Sequence, residues 1–215
     1  MPVFLFAWSQ VPMASWERVV VVFVLLHFLV YPVLFRLYSI PILQLKRFPI
    51  LNFSWKSVFY GLVMYWAIQA ALGGFSSEYA HFSHQLWAKM MITFFVGSLI
   101  LFTQLYQNEF NKRDGIQTMS GMLGNQGSFG FFAWLFLSAE YCAWQHFQEQ
   151  GAVRHFIVLQ FFLLPVLVYS IYWFARVRKS SLAADFDHAT RMRLLTSFCL
   201  NLCFLSFLIS AWLSN

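Results

Sequence analysis

Long apolar stretches recur along the whole chain, and they constrain its fold more than any other feature. The hydrocarbon core of a bilayer is about 30 Å thick, so an α-helix needs about 20 mostly apolar residues to cross it. Only 10% of the residues are charged, against about 25% in a typical soluble domain. These stretches predict an all-α, polytopic membrane helix bundle of about six transmembrane helices, forming a single domain over residues 1–215. The predicted spans cover residues 19–35, 58–75, 86–106, 129–144, 156–174 and 194–213.

Lysine and arginine gather in the loops that follow the first, third and fifth of these spans. Loops rich in Lys and Arg are retained on the cytoplasmic side, so the pattern predicts a bacterial inner (cytoplasmic) membrane protein with both termini outside. Because the basic residues flank apolar spans, anionic lipid headgroups are the expected partner rather than nucleic acid. The basic residues of the three loops are Arg36, Lys46, Arg47, Lys56, Lys112, Arg113, Arg176, Arg178, Lys179, Arg191 and Arg193.

Three segments on this predicted cytoplasmic face share their residue order with one family of membrane enzymes. Residues 103–118 read TQLYQNEFNKRDGIQT, and Met-Leu-Gly follows at 122–124. Residues 38–50 carry Tyr-Ser and Leu-Lys-Arg-Phe-Pro, and residues 184–204 carry ADFD, TRMR and CLNLCF. These segments resemble the cytoplasmic loops and the final helix of the UbiA superfamily of intramembrane prenyltransferases. The last segment is similar to the last loop and final helix of a branch of that family associated with Bacteroidetes. The chain is similar to about the C-terminal two-thirds of the UbiA fold.

The resemblance also indicates that this chain differs from the family at the positions that bind metal in UbiA-type enzymes. UbiA-type enzymes hold Mg²⁺ and a prenyl diphosphate between two Asp-rich motifs, since this cation prefers charged oxygen ligands. Alignment on Gly115 places the two aspartates of the second motif on Gln107 and Asn111, and no Asp precedes residue 114 to supply the first motif. The resemblance therefore implies a shortened, degenerate and catalytically inactive member that lacks the family's first helices. No metal or other cofactor is expected, with Mg²⁺ needed only if the protein is active.

Other polar residues on the same face are candidate contacts for a substrate or lipid. A metal site rearranged around the remaining carboxylates is an open alternative, and so is a set of solvated loop charges neutralised by nearby Lys and Arg. The candidate contacts are Lys46, Arg47, Tyr106, Glu109, Lys112, Arg113, Asp114 and Asp187.

Three functional hypotheses follow from these residues. The first is a lipid- or isoprenoid-binding, or structural, subunit of a membrane complex, whose partners are lipids and either other membrane subunits or further copies of the chain. The second is an active Mg²⁺-dependent enzyme that transfers a prenyl group from a diphosphate to an aromatic acceptor. The third is a haem- or quinone-binding membrane anchor, because haem in a bundle needs imidazoles facing each other from separate helices. Its candidate ligands are His27, His81, His84, His146 and His155.

Overall fold

Helices make up nearly all of the chain that the structure describes. This computed structural model describes residues 48–65, 85–113 and 115–213, without the side chains of residues 109, 110, 112 and 211. No strand occurs in these ranges. The helices are α1 (Pro49–Val58), α2 (Leu86–Arg113), α3 (Met119–Glu149), α4 (Val153–Lys179) and α5 (Phe186–Leu213), with a π-helical turn at Phe59–Val63 and a 3₁₀ turn at Ser181–Ala183.

Three helices in the described part of the chain are long and apolar enough to cross a membrane. These candidate spans are Leu86–Asn108 in α2, Val153–Lys179 in α4 and Phe186–Ser210 in α5. They overlap the predicted spans three, five and six. Predicted span four lies within α3, which is not among the three, while predicted span one and the part of span two beyond residue 65 lie outside the described residues.

The candidate spans expose large apolar side chains on the outside of the bundle. Phe161 in α4 is 75% exposed, and Leu208 and Trp212 in α5 are 69% and 78% exposed. Soluble monomers rarely expose contiguous apolar surface of this kind, whereas lipid tails would cover it. Helices α4 and α5 therefore have an apolar outer surface suited to a membrane as well as the length to cross one.

Helices α2 and α3 form an antiparallel hairpin held together by aromatic rings. Ring contacts run from Phe102–Phe132, with centroids 4.3 Å apart, through Phe95–Phe136 at 5.7 Å, to the Trp87 ring against α3 near its far end. As the residue number falls along α2 it rises along α3, which fixes the antiparallel direction. The hairpin places the end of α2 beside the start of α3.

The polar stretch at 107–127, interpreted from sequence as a loop, is mostly helical. Gln, Glu, Lys and Arg are good helix formers, so α2 continues beyond its apolar part to Arg113. Gly115, with φ of 66°, then ends the helix, and the N–H of Ile116 donates to the carbonyl of Asn111 at 2.8 Å, the bond of a Schellman motif. Thr118 caps α3 by accepting from the N–H of Gly121 at 3.0 Å. Only residues 114–118 separate the two helices.

Helix α3 bends at Gly124 soon after it begins. Gly124 has φ of 69° and ψ of 176°, a backbone conformation that is essentially restricted to glycine. The Ser128 hydroxyl donates to the Gly124 carbonyl at 2.7 Å, so a side-chain hydrogen bond accompanies the bend. The bend lets the first turn of α3 turn back toward α2.

Helices α4 and α5 form a second hairpin, and Trp173 anchors it to the first. The Trp173 side chain is fully buried, and its ring lies against Phe102 at 4.9 Å and Phe129 at 5.2 Å. Its indole Nε1–H donates to the carbonyl of Ala183 at 2.7 Å, within the turn before α5. One side chain thus joins the aromatic core to the connection between α4 and α5.

Small residues allow α1 and the π-helical turn to approach α2 closely. A Cβ atom added at Gly97 of α2 would lie 3.0 Å from Ser57 Oγ, and one added at Gly61 would lie 2.9 Å from the backbone nitrogen of Thr93. Close backbone approach through small residues is typical of helix packing in membranes. Helix α1 begins at Pro49, so Lys56, expected in a loop, lies inside a helix.

Candidate functional site

Four helix ends meet at one end of the bundle. The ring of Tyr106 near the end of α2 contacts Phe186 at the start of α5, at 5.2 Å between centroids. Phe129 in α3 contacts Phe174 near the end of α4 at 5.3 Å. We call this region the polar end, comprising residues 104–113, 115–128 and 172–193. It contains most of the described candidate contacts from the sequence.

A buried hydrogen-bonded cluster joins α2 to α3 at the polar end. The Asn108 side chain donates to Ser120 Oγ at 3.0 Å and accepts from Thr118 Oγ1 at 2.9 Å. Ser128 Oγ lies 2.9 Å from Ser120 Oγ, and the Ser120 N–H donates to Gln104 Oε1 at 3.3 Å. Thr118, Ser120, Ser128 and Gln104 are all buried. Because buried polar groups require partners, this cluster fixes how the hairpin closes.

The two positions aligned with the metal-binding aspartates lie in the last turns of α2. The Gln107 amide donates to the Tyr106 hydroxyl at 3.1 Å, and the Asn111 carbonyl accepts the bond that ends the helix. Neither residue belongs to the buried cluster, in which Asn108 holds the central position. The alignment on Gly115 therefore did not select Asn108, which links α2 to both Thr118 and Ser120.

The described residues around Gln107, Asn108 and Asn111 do not fit a Mg²⁺ site. A cavity of about 250 Å³ beside Asn108 is lined by Gly115, Ile116, Gln117, Thr118 and Gly121, all uncharged. Gln107 and Asn111 bring neutral amides, whereas Mg²⁺ is bound in proteins through at least one or two carboxylates. No group of three or more His, Cys, Asp or Glu side chains that could hold a metal occurs among the described residues.

The remaining candidate contacts divide between described and undescribed positions. Arg113 is exposed at the end of the last turn of α2, and Asp187 is exposed in the first turn of α5. The structure brings Tyr106 close to the start of α5 through its contact with Phe186. Lys46, Arg47, Glu109, Lys112 and Asp114 were also predicted as contacts, and these residues or their side chains lie outside the described part of the chain.

A second and larger cavity, of about 610 Å³, lies between the end of α4 and the start of α5. We call it the basic pocket, defined by Tyr172, Arg176, Lys179, Leu182, Asp185 and His188. The Arg176 guanidinium donates to the Tyr172 hydroxyl at 2.8 Å and lies 5.8 Å from that ring's centroid. These two contacts orient the guanidinium on the pocket wall.

Asp185 and His188 form the opposite wall of the basic pocket. Asp185 Oδ1 accepts from the His188 N–H at 2.8 Å and lies 2.8 Å from His188 Nδ1. The His188 ring stacks on Trp173, with centroids 6.1 Å apart and planes at 11°. Burial raises the pKa of Asp185, but the two contacts with His188 and the nearby Arg191 charge outweigh it, so the pKa lies below its usual value. Asp185 is therefore ionised at neutral pH.

The opposite end of the bundle holds the described histidines considered for haem. The His155 ring packs against Phe207 at 4.8 Å and stacks on Phe147 at 6.3 Å. The pKa of His146 lies below its usual value, because the effect of burial exceeds the opposing effect of the nearby Glu149 carboxylate. Glu149 also accepts a hydrogen bond from the Trp87 indole at 2.7 Å. The other candidate ligands, His27, His81 and His84, lie outside the described residues. The haem hypothesis remains a prediction.

Comparison of this chain with protein-family models, with curated proteins and with solved structures finds no match.

The buried cluster predicts unequal effects for two asparagines of α2. Replacing Asn108 with alanine should lower the free energy of unfolding by about 1–2 kcal/mol, because Thr118 and Ser120 each lose a hydrogen-bond partner. Asn111→Ala removes the same amide three residues further on and should change stability by less than about 0.5 kcal/mol. Unfolding in mixed detergent micelles would measure both. Equal effects would show that the cluster does not hold the hairpin.

Proposed function

We propose that this chain is a UbiA-like membrane protein that does not transfer prenyl groups and that acts as a lipid- or isoprenoid-binding, or structural, subunit of a membrane complex. The observation that carries the proposal is that the polar side chains at the α2–α3 junction bond to one another and so stabilise the hairpin. Asn108, Thr118 and Ser120 bond to one another beside Gln107 and Asn111, the two positions that the resemblance aligns with metal-binding aspartates. Their hydrogen bonds stabilise the hairpin and leave no charged ligand among them.

The chemistry of prenyl transfer supports the inactive assignment. Ionising an allylic diphosphate requires a metal that neutralises the leaving diphosphate, a contribution worth several kcal/mol. Gln107 and Asn111 supply amide dipoles where two negative charges would be needed. A fold can persist after such a loss, since fold and chemistry are separable.

We further propose six crossings with the polar end on the cytoplasmic side. Beyond its bend at Gly124, helix α3 continues to Glu149, and at about 1.5 Å per residue this part is about 37 Å long, enough to cross a bilayer beside α2. The antiparallel ring contacts between α2 and α3 support this arrangement. Arg176, Arg178 and Lys179, all in the last turns of α4, support a cytoplasmic polar end by the positive-inside rule.

An assay for prenyl transfer tests the proposal directly. Purified protein incubated with Mg²⁺, a labelled prenyl diphosphate and a panel of aromatic acceptors should give no product above a protein-free blank. A UbiA-type enzyme prepared in the same detergent serves as the positive control. Product formation that is abolished by Glu109→Ala or Asp114→Ala would overturn the proposal and establish an active enzyme with substitute ligands.

The subunit part of the proposal has a separate test. Exposed apolar side chains on α5, among them Leu194 at 66% and Phe198 at 64%, provide a surface for lipid or for another helix. Extraction in mild detergent followed by identification of co-purifying chains should recover a defined partner or a homo-oligomer. A homogeneous monomer would exclude the structural-subunit role and leave lipid binding as the function.

A further inference from the structure

We infer that the basic pocket binds the phosphate of an anionic glycerophospholipid headgroup. The inference deepens the proposed function and rests on it, because a headgroup site requires a chain that lies in a membrane. The pocket is separate from the α2–α3 junction, since it is formed by the end of α4, the 3₁₀ turn and the start of α5. Its size, charge and rim each support a phosphate ligand that carries an apolar tail.

The charges that face the pocket favour an anion. Arg176 and Lys179 stand on the α4 wall and carry two positive charges. Asp185 is the one carboxylate among the lining residues, and it is engaged by both the backbone and the ring of His188. Arg191 also lies within electrostatic reach of Asp185. The net charge of the pocket is therefore positive.

Arg176 has the geometry for a phosphate rather than for a simple counterion. Its guanidinium is a planar group with five donors, of which the Tyr172 hydroxyl uses one. The remaining donors can bind two oxygens of a phosphate at once, as is common for arginine. Lys179, three residues later on the same helix, adds a compact charge that can approach the same anion.

The rim of the pocket suits a ligand that is partly in the membrane. Leu182 lines the pocket yet is 84% exposed, so one wall is an uncovered apolar side chain. Below it, the outward residues of α4 are apolar, with Ile171 60% and Val168 58% exposed. A phosphate between Arg176 and Lys179 would leave acyl chains free to run along this surface. A soluble phosphate would use the cations and leave the apolar rim uncovered.

Native mass spectrometry of the full-length protein in detergent, titrated with phosphatidylglycerol, tests the inference. The double variant Arg176→Gln/Lys179→Gln removes both pocket cations. It should weaken phosphatidylglycerol binding by at least about tenfold, which corresponds to about 1.4 kcal/mol. The matched control is Arg178→Gln/Arg193→Gln, which removes the same charge from exposed positions of α4 and α5 outside the pocket. The control should change binding by less than about twofold.

Several outcomes would overturn the assignment. Equal loss in the two double variants would mean that the lipid responds to surface charge and not to the pocket, while leaving lipid binding itself intact. Equal affinity for phosphatidylcholine and phosphatidylglycerol would exclude an anion site. Competition by inorganic phosphate as strong as that by phosphatidylglycerol would assign the pocket to a soluble phosphate. A thermal-shift measurement on each variant confirms that the fold is retained.

Discussion

Replacing Gly61 with leucine should separate the π-helical turn that follows α1 from α2 and destabilise the protein by about 3 kcal/mol or more. A Cβ atom at this position would lie 2.9 Å from the Thr93 nitrogen and closer still to its Cα. Both atoms belong to the backbone of α2, so no side chain can rotate away to make room. Inserting atoms into a well-packed contact typically costs about 1–3 kcal/mol, and more when backbone must move.

Unfolding in a titration of denaturing detergent would measure the effect of Gly61→Leu. Gly130→Leu is a matched control, because Gly130 is an exposed residue of α3 and a Cβ atom there meets nothing within 4 Å. The control should change the free energy of unfolding by less than about 1 kcal/mol. A Gly61→Leu protein as stable as the control would mean that the π-helical turn does not approach α2 closely at Thr93.

Gly124→Ala should lower the free energy of unfolding by about 1–3 kcal/mol for a reason unrelated to packing. A Cβ atom at Gly124 would meet no neighbour within 4 Å, so there is space for it. The backbone conformation, with φ of 69° and ψ of 176°, is the difficulty, since residues other than glycine rarely adopt it. The strain would be relieved only by straightening α3 and withdrawing Ser120 from Asn108 and Gln104.

The same measurement on Gly130→Ala distinguishes the effect of backbone conformation from the effect of adding a methyl group to the helix. Gly130 lies in a regular part of α3, where alanine should stabilise the helix by about 0.5–1 kcal/mol. Opposite signs for the two substitutions are therefore expected. If Gly124→Ala stabilised the protein as Gly130→Ala does, α3 would be a straight helix at residue 124.

The apolar stretches allow the helices to be predicted, but the helices can extend beyond those stretches into polar and charged turns. Predicted span three begins at residue 86, where α2 begins, because apolar composition starts there. The same criterion starts span six at residue 194, although α5 begins at Phe186, since His188 and Arg191 extend the helix at the polar end. Hydropathy detects the part of a helix that a bilayer would cover, and charged turns beyond it have no such signal.

The sequence indicated part of the candidate site, and the rest depends on residues that only the fold brings together. The segment around Gln107 was predicted to belong to the site, and the alignment selected Gln107 and Asn111, which are four residues apart. It passed over Asn108, whose hydrogen-bond partners lie ten and twelve residues further along the chain. The basic pocket depends on a turn that folds His188 back toward Arg176. Two local signals exist: the basic residues Arg176 and Lys179 after an apolar span, and the spacing of Tyr172 and Arg176, four residues apart and therefore neighbours on a helix.

The contacts of Trp173 have a consequence for how the basic pocket would take up a ligand. The indole holds the Ala183 carbonyl, and its ring supports His188, while its other neighbours are buried phenylalanines. The turn and the His188 ring are thus held by buried contacts before any ligand arrives. An anion entering a preorganised site loses little affinity to the ordering of side chains and turn. Ordering the turn then subtracts little from the attraction between the anion and the two cations.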